Sequence, residues 1–241
     1  MISVISGFAT FDGTKKFVEN SGILPINYKQ IQNLYLSNVG IGTYLGEPNE
    51  KTDNLVKNAV KQSILSGINV IDTAINYRAQ KAERSVGKAI SELVEEGKIT
   101  RDQIFISSKN GYVTNDADVK QDFWEYVKIE YAQKGVVKEG DITSGYHCMT
   151  PAYLEDQLDR SLKNLGLDCI DLMYLHNAVE GQIKDISREK FLQNLESVFE
   201  LYEQKRREGK IKFYGMATWE CFRVSSDNPQ YLSLSETFEM A

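Results

Sequence analysis

Asp72, Tyr77, Lys109 and His176 are the residues of this 241-residue chain best suited to moving a proton. Each lies at or just past the end of an apolar run: Asp72 and Tyr77 in IDTAINY, Lys109 in IFISSK, His176 in IDLMYLH. A carbonyl that accepts hydride at carbon needs a proton at oxygen. The donor must hold that proton at neutral pH and yield it as negative charge develops. A phenol meets the demand, and an ammonium beside it favours release. Lys109 is the candidate ammonium, Asp72 would keep it charged and fixed, and His176 could hydrogen-bond the carbonyl oxygen. Singly, each has a plainer use: Asp72 in a turn cap, Tyr77 in packing, Lys109 on a solvated turn, His176 as a satisfied rim residue. Jointly they fall on strand ends that an α/β barrel brings together.

Repeated strand and helix units must position them. Leu34 to Thr43 reads as a strand ending in GIGT, and Thr52 or Asp53 as the cap of a helix through Ser66. Strands are predicted at Ile68 to Thr73, Ile104 to Ser108, Cys169 to Leu175 and Ile211 to Ala217. Helices are predicted at Ala82 to Glu95, from Thr150-Pro151 to Leu165, and at Arg188 to Glu208, with glycines 97, 166 and 209 as stops. Strands joined through helices run parallel with right-handed crossovers. GIGTYLGEPNE lacks the GxGxxG turn of a doubly wound sheet, which leaves the (β/α) barrel as the expected fold. Residues 1 to 33 suggest a hairpin turned at Asp12-Gly13 and Ser21-Gly22. Residues 111–150 break the rhythm, with a short helix expected at Asp122 to Tyr131, and read as an insertion on the active rim, a lid or substrate wall to which Trp124, Tyr126 and Tyr146 would contribute. Residues 1–241 read as a single domain.

With 34 acidic against 28 basic side chains and a net charge of -6, no Lys/Arg stripe would track phosphates, so nucleic acid is not expected as a partner. No window reaches the ~18 apolar residues of a membrane span. Three scattered cysteines and the absence of a basic leader point to the cytoplasm. No metal is expected: a catalytic zinc wants three protein ligands, and His147 beside Cys148 does not supply them in a chain with two histidines.

GIGT, GINVIDTAINY with Glu83 and Gly87 behind it, ISSK and SLKNLGLDCIDLMYLHN resemble the signature segments of the aldo-keto reductases, in order, from about Leu34 to Trp219. The resemblance implies a (β/α)8 barrel and NAD(P)H-dependent reduction of a small aldehyde or ketone. It implies Tyr77 as general acid, Lys109 and Asp72 as its tuners and His176 as the group that orients the substrate. Gly42 and Thr43 would lie beside the cofactor, Asp72 near the nicotinamide ribose, and NADPH is favoured over NADH. Where the family presents a Ser-Asn pair to the carboxamide this chain has Ala217-Thr218, and Thr218 is left to supply one hydrogen bond. Only about five of the eight units are expected, so the barrel would be completed by a missing carboxyl-terminal segment or by self-association. The rival readings are a nucleotide-sensing subunit using the same pocket and an inactive fragment.

Overall fold

Apolar runs separated by amphipathic stretches fold, in a computed structural model that describes residues 4–241, into a parallel sheet backed by helices. Helix α1 (Phe11–Asn20) precedes a hairpin of β1 (Tyr28–Ile31) and β2 (Leu34–Ser37). Strand β3 (Ile41–Gly42) leads to α2 (Glu50–Leu65), and β4 (Val70–Asp72) to α3 (Lys81–Glu95). Strand β5 (Phe105–Asn110) is followed by the short helix α4 (Phe123–Val127) and then by α5 (Pro151–Leu165). Strand β6 (Ile170–His176), helices α6 (Ala178–Gln182) and α7 (Arg188–Arg207), strand β7 (Ile211–Ala217) and α8 (Leu234–Met240) follow.

The five strands β3 to β7 lie side by side in chain order, all parallel. A doubly wound sheet reverses order at a switch point, whereas unbroken order with one helix per crossover is the winding of the (β/α)8 barrel. Five units of that barrel are present, and among the described residues β3 and β7 are paired on one side only. No helix among them is long and apolar enough to cross a membrane.

Strand alternation divides the core. Ile71, Ile106, Met173 and Leu175 pack with Val60, Ile90, Leu93, Leu154, Leu158, Leu195 and Tyr202 of the helices. Each such buried side chain contributes about 1.5–3 kcal/mol. Phe105, Leu172 and Phe213 point the other way and meet Ala9 and Leu34. Beside them the buried Asp171 accepts from Ala9 N (2.6 Å), Ile106 N (2.8 Å) and the Arg101 guanidinium (2.7 Å), tying the amino-terminal segment to the sheet.

The structure moves several expected boundaries. Asp12-Gly13 lies inside α1, where the Thr10 hydroxyl caps Gly13 N at 3.0 Å and Gly13 packs directly on the Asp102 backbone. The hairpin exists, but at Tyr28–Ile31 and Leu34–Ser37, turned by Gln32 and Asn33 with φ of 50° and 59°. Two successive positive φ values match the twist of a two-residue hairpin loop. The single strand read from Leu34 to Thr43 is two pieces: β2 ends at Ser37, whose N donates to Asn69 Oδ1 (2.9 Å) while Asn38 N still closes the hairpin on Asn27 O (2.8 Å). Helix α2 is capped by Asn49, whose side chain accepts from Thr52 N at 3.0 Å, and Asp53 instead pairs with Arg78 and Lys81. The expected helix at Asp122 to Tyr131 is α4 followed by a π-helical turn, Lys128–Ala132.

Candidate active site

The carboxyl ends of β4, β5 and β6 bring Asp72, Tyr77, Lys109 and His176 together. Lys109, the fifth residue of β5, is buried, and its ammonium donates to Asp72 Oδ2 (2.6 Å), Thr73 O (2.8 Å) and Tyr77 Oη (3.1 Å). Its three donors are thereby used, which fixes the ammonium as one positioned point charge. Asp72 Oδ1 accepts from Ser107 Oγ at 2.8 Å, so the carboxylate is held from two sides. Tyr77 also carries the Lys109 ammonium 4.7 Å from its ring centroid.

Tyr77 follows β4 on a turn whose next three residues, Arg78, Ala79 and Gln80, have φ of 50°, 49° and 74°. Non-glycine residues in this region cost roughly 1–2 kcal/mol each. The surroundings enforce the turn. Arg78 is buried against Asp53 Oδ1 (2.6 Å) and Ser85 Oγ (3.0 Å). Gln80 donates to Asn115 O (3.2 Å) and accepts from Asn164 Nδ2 (3.2 Å). Strain held in this way at a rim turn is a mark of a functional constraint.

His176 ends β6 with its ring edge-on to Tyr77, centroids 5.8 Å apart at 75°. Burial first, then the positive Lys109, lowers its pKa to about 3, so the imidazole is neutral at neutral pH. Its Nδ1 is buried without a partner. An unpaired acceptor costs less than an orphaned buried N–H, which places the proton on Nε2. Tyr112 packs edge-on against His176 at 5.0 Å, and Tyr44 against Tyr77 at 5.0 Å. Neither aromatic stood out in the sequence, since each lies in a loop with no periodic pattern.

The expected cofactor neighbours are placed less uniformly. Gly42 is exposed on the rim, and a Cβ there would meet nothing within 4 Å. Thr43 is buried, and its hydroxyl is spent stitching β3 to β4 through Thr73 Oγ1 (2.9 Å) and Asp72 O (3.2 Å). The Thr218 hydroxyl donates to Glu180 Oε1 (2.8 Å), which also takes Trp219 N (2.8 Å) and Glu220 N (3.0 Å). Toward any ligand Thr218 therefore acts as an acceptor. Among the expected wall residues, Trp124 and Tyr146 are half exposed and stacked with centroids 5.6 Å apart, whereas Tyr126 is buried against Gln80 and Arg160. No cluster of three potential metal ligands occurs among the described residues.

Comparison with known proteins agrees with this fold. The sequence model of the Aldo/keto reductase family matches residues 38–226, most of the chain. An uncharacterized oxidoreductase of Bacillus subtilis, YtbE, is 31% identical over 163 residues, 68% of this chain and 41% of that protein. The NADH-specific methylglyoxal reductase of Escherichia coli is 28% identical over 209 residues, covering 83% of this chain and 53% of that protein. Aldo-keto reductase AKR11C1 from Bacillus halodurans, in its holo form, superposes with a TM-score of 0.53 at 25% identity, over 80% of this chain and 50% of that one. A Klebsiella pneumoniae aldo/keto reductase solved with NADP and acetate shares the fold at a TM-score of 0.50 and 21% identity, over 80% of this chain and 52% of that one. The chain spans about half the length of the relatives it matches. The chain belongs to the aldo/keto reductase family.

Proposed function

We propose that this chain carries the proton-handling half of an NAD(P)H-dependent carbonyl reductase, with Tyr77 as the proton donor. The observation that carries the reading is the Lys109 ammonium, bound at once to Asp72 Oδ2 and Tyr77 Oη. As a carbonyl oxygen gains negative charge, Tyr77 releases its proton to it. The phenolate left behind is stabilised by an ammonium 3.1 Å away that is already oriented. Asp72 holds Lys109 in place through this step. His176, neutral and with its proton on Nε2, donates to the same carbonyl oxygen and sets its orientation.

The residues present fit the reactive end of a nicotinamide nucleotide. A cavity of about 480 Å³ opens at the β6–β7 rim, lined by Tyr174, Ala217, Thr218, Trp219, Phe222 and Arg223. One of its wall residues, Tyr174, is the β6 neighbour of Lys109 in the β5–β6 ladder. When bound, the reduced nicotinamide supplies the hydride. Aromatic and apolar walls would hold its ring, Thr218 would accept from the carboxamide, and the half-exposed Asp72 carboxylate has free lone pairs for a ribose hydroxyl. NADP is named with the Klebsiella structure and NADH with the Escherichia coli relative, so both nucleotides belong in the test. Trp124 and Tyr146 are proposed as a substrate wall contributed by residues 111–150.

Nucleotide fluorescence titration together with a panel of aldehydes and ketones tests the reading. It predicts binding and consumption of the reduced nucleotide with a carbonyl substrate. Binding without turnover across the panel would favour a nucleotide-sensing role and overturn the enzymatic one.

A further inference from the structure

His147, which proton transfer does not use, is completely buried at the end of the 111–150 segment and sits directly behind His176. Its Nε2 lies 2.8 Å from the backbone carbonyl of His176, and its Nδ1 lies 3.0 Å from Gln182 Nε2. A carbonyl only accepts and an amide nitrogen only donates, so the ring is neutral, with its proton on Nε2 and Nδ1 bare. Burial acts in the same direction and lowers its pKa to about 4.

The surroundings are shaped to this ring. A Cβ at Gly111 would come within 2.5 Å of His147 Nε2, and one at Gly181 within 2.6 Å of its Cγ. Thr143 donates its hydroxyl to Gly181 O (2.6 Å) and its backbone N–H to His147 O (2.9 Å), and Gln182 donates to His147 O (3.2 Å). Tyr112 stands edge-on to both imidazoles, 5.3 Å from His147 and 5.0 Å from His176. The segment that follows β5 is thus clamped through one side chain to the last residue of β6.

We infer that His147 is a positioning residue: by donating to the His176 carbonyl it fixes the backbone that carries the substrate-orienting imidazole and couples that imidazole to the 111–150 segment. This role rests on the reading of His176 given above. The carbonyl lies near the end of the β6–β7 ladder, and without His147 a buried acceptor loses this partner, weakening the hold on the His176 backbone.

The two histidines of the chain make the test direct, because nitrogen-15 imidazole spectra contain two rings and a His147 variant assigns both. In the unaltered protein His147 should show the Nε2–H tautomer and should not titrate near neutral pH. The opposite tautomer, or titration near neutrality, would overturn the inference. In His147→Leu the His176 ring resonances should move, and kcat should fall by about tenfold to 10²-fold, with KM less affected. His147→Gln, which keeps a donor at similar reach, should restore most of kcat. A folded His147→Leu protein with unmoved His176 resonances and parental kcat would overturn the inference. If His147→Leu does not fold, Gly181→Ala, which pushes the ring by its Cγ edge, should move the same resonances, and unmoved ones would count against the inference. The resonance readout does not depend on turnover, so it separates this inference from the assignment of Tyr77.

Discussion

Replacing Lys109 with methionine separates catalysis from folding. The side chain is buried and makes three hydrogen bonds, and the partners it leaves behind differ in their access to water. The Asp72 side chain is 39% exposed and retains Ser107 at 2.8 Å, so water can replace the ammonium there. The carbonyl of buried Thr73 loses this partner, at a cost of about 1–3 kcal/mol. Stability should therefore fall by roughly that amount and the fold should survive. Catalysis should suffer more, because Tyr77 loses the charge that stabilises its phenolate. We expect kcat/KM to drop by about 10²–10⁴-fold, the worth of positioned acid catalysis. Urea denaturation and steady-state reduction on the same preparation give both numbers, with nucleotide titration as the binding control. A folded Lys109→Met protein reducing its carbonyl within about tenfold of the parent would refute the assigned role.

Arg101→Met should give the opposite balance, because Arg101 and Asp171 are both buried and the carboxylate cannot rehydrate. We expect a loss of about 3–5 kcal/mol in denaturant titration. Burial already raises the Asp171 pKa, and a carboxyl raised in the fold stabilises at low pH and loses that contribution as pH rises, so the variant should recover on acidification. A cost below about 1 kcal/mol, or a variant that weakens on acidification, would count against the pairing. Glu83 is completely buried, and its pKa is raised by burial against the hydrogen bonds from Ser108 (2.6 Å) and Asn164 (2.9 Å). By the same sign, Glu83→Gln should gain stability relative to the parent as pH rises above the ordinary carboxylate range, and a difference that stays constant as pH rises would disprove it.

The clustering of Asp72, Tyr77, Lys109 and His176 was legible because each is a polar residue at or just past the end of an apolar run, and sequential parallel strands place such ends side by side. Apolar spacing likewise marked α3, α5 and α7. The hairpin at Asp12-Gly13 failed because a local turn signal was weighed without the burial of Thr14 and Phe17, which gives α1 its inward face. At the break between β2 and β3, Ser37 N bonds to Asn69, far along the chain, a contact with no local sign. The left-handed run from Arg78 to Gln80 contains no glycine and is held by Asp53, Ser85, Asn115 and Asn164, so only the assembled fold reveals it. Thr218 was expected to supply one hydrogen bond to a cofactor, and the structure restricts it to accepting because Glu180 on α6 takes its proton, a contact between separate elements with no sequence pattern. On the sequence alone His147 is set aside as a metal ligand and has no role, because its partners are a backbone carbonyl and an amide contributed by other elements.

The central claim, that Tyr77 delivers the proton, is tested most directly by Tyr77→Phe. The phenyl ring keeps the packing with Tyr44 and His176 and removes only the hydroxyl that Lys109 contacts. At saturating nucleotide, carbonyl reduction should fall by at least about 10²-fold while nucleotide affinity stays within about twofold of the parent. Reduction by the Tyr77→Phe protein at a rate near the parent's would contradict the account.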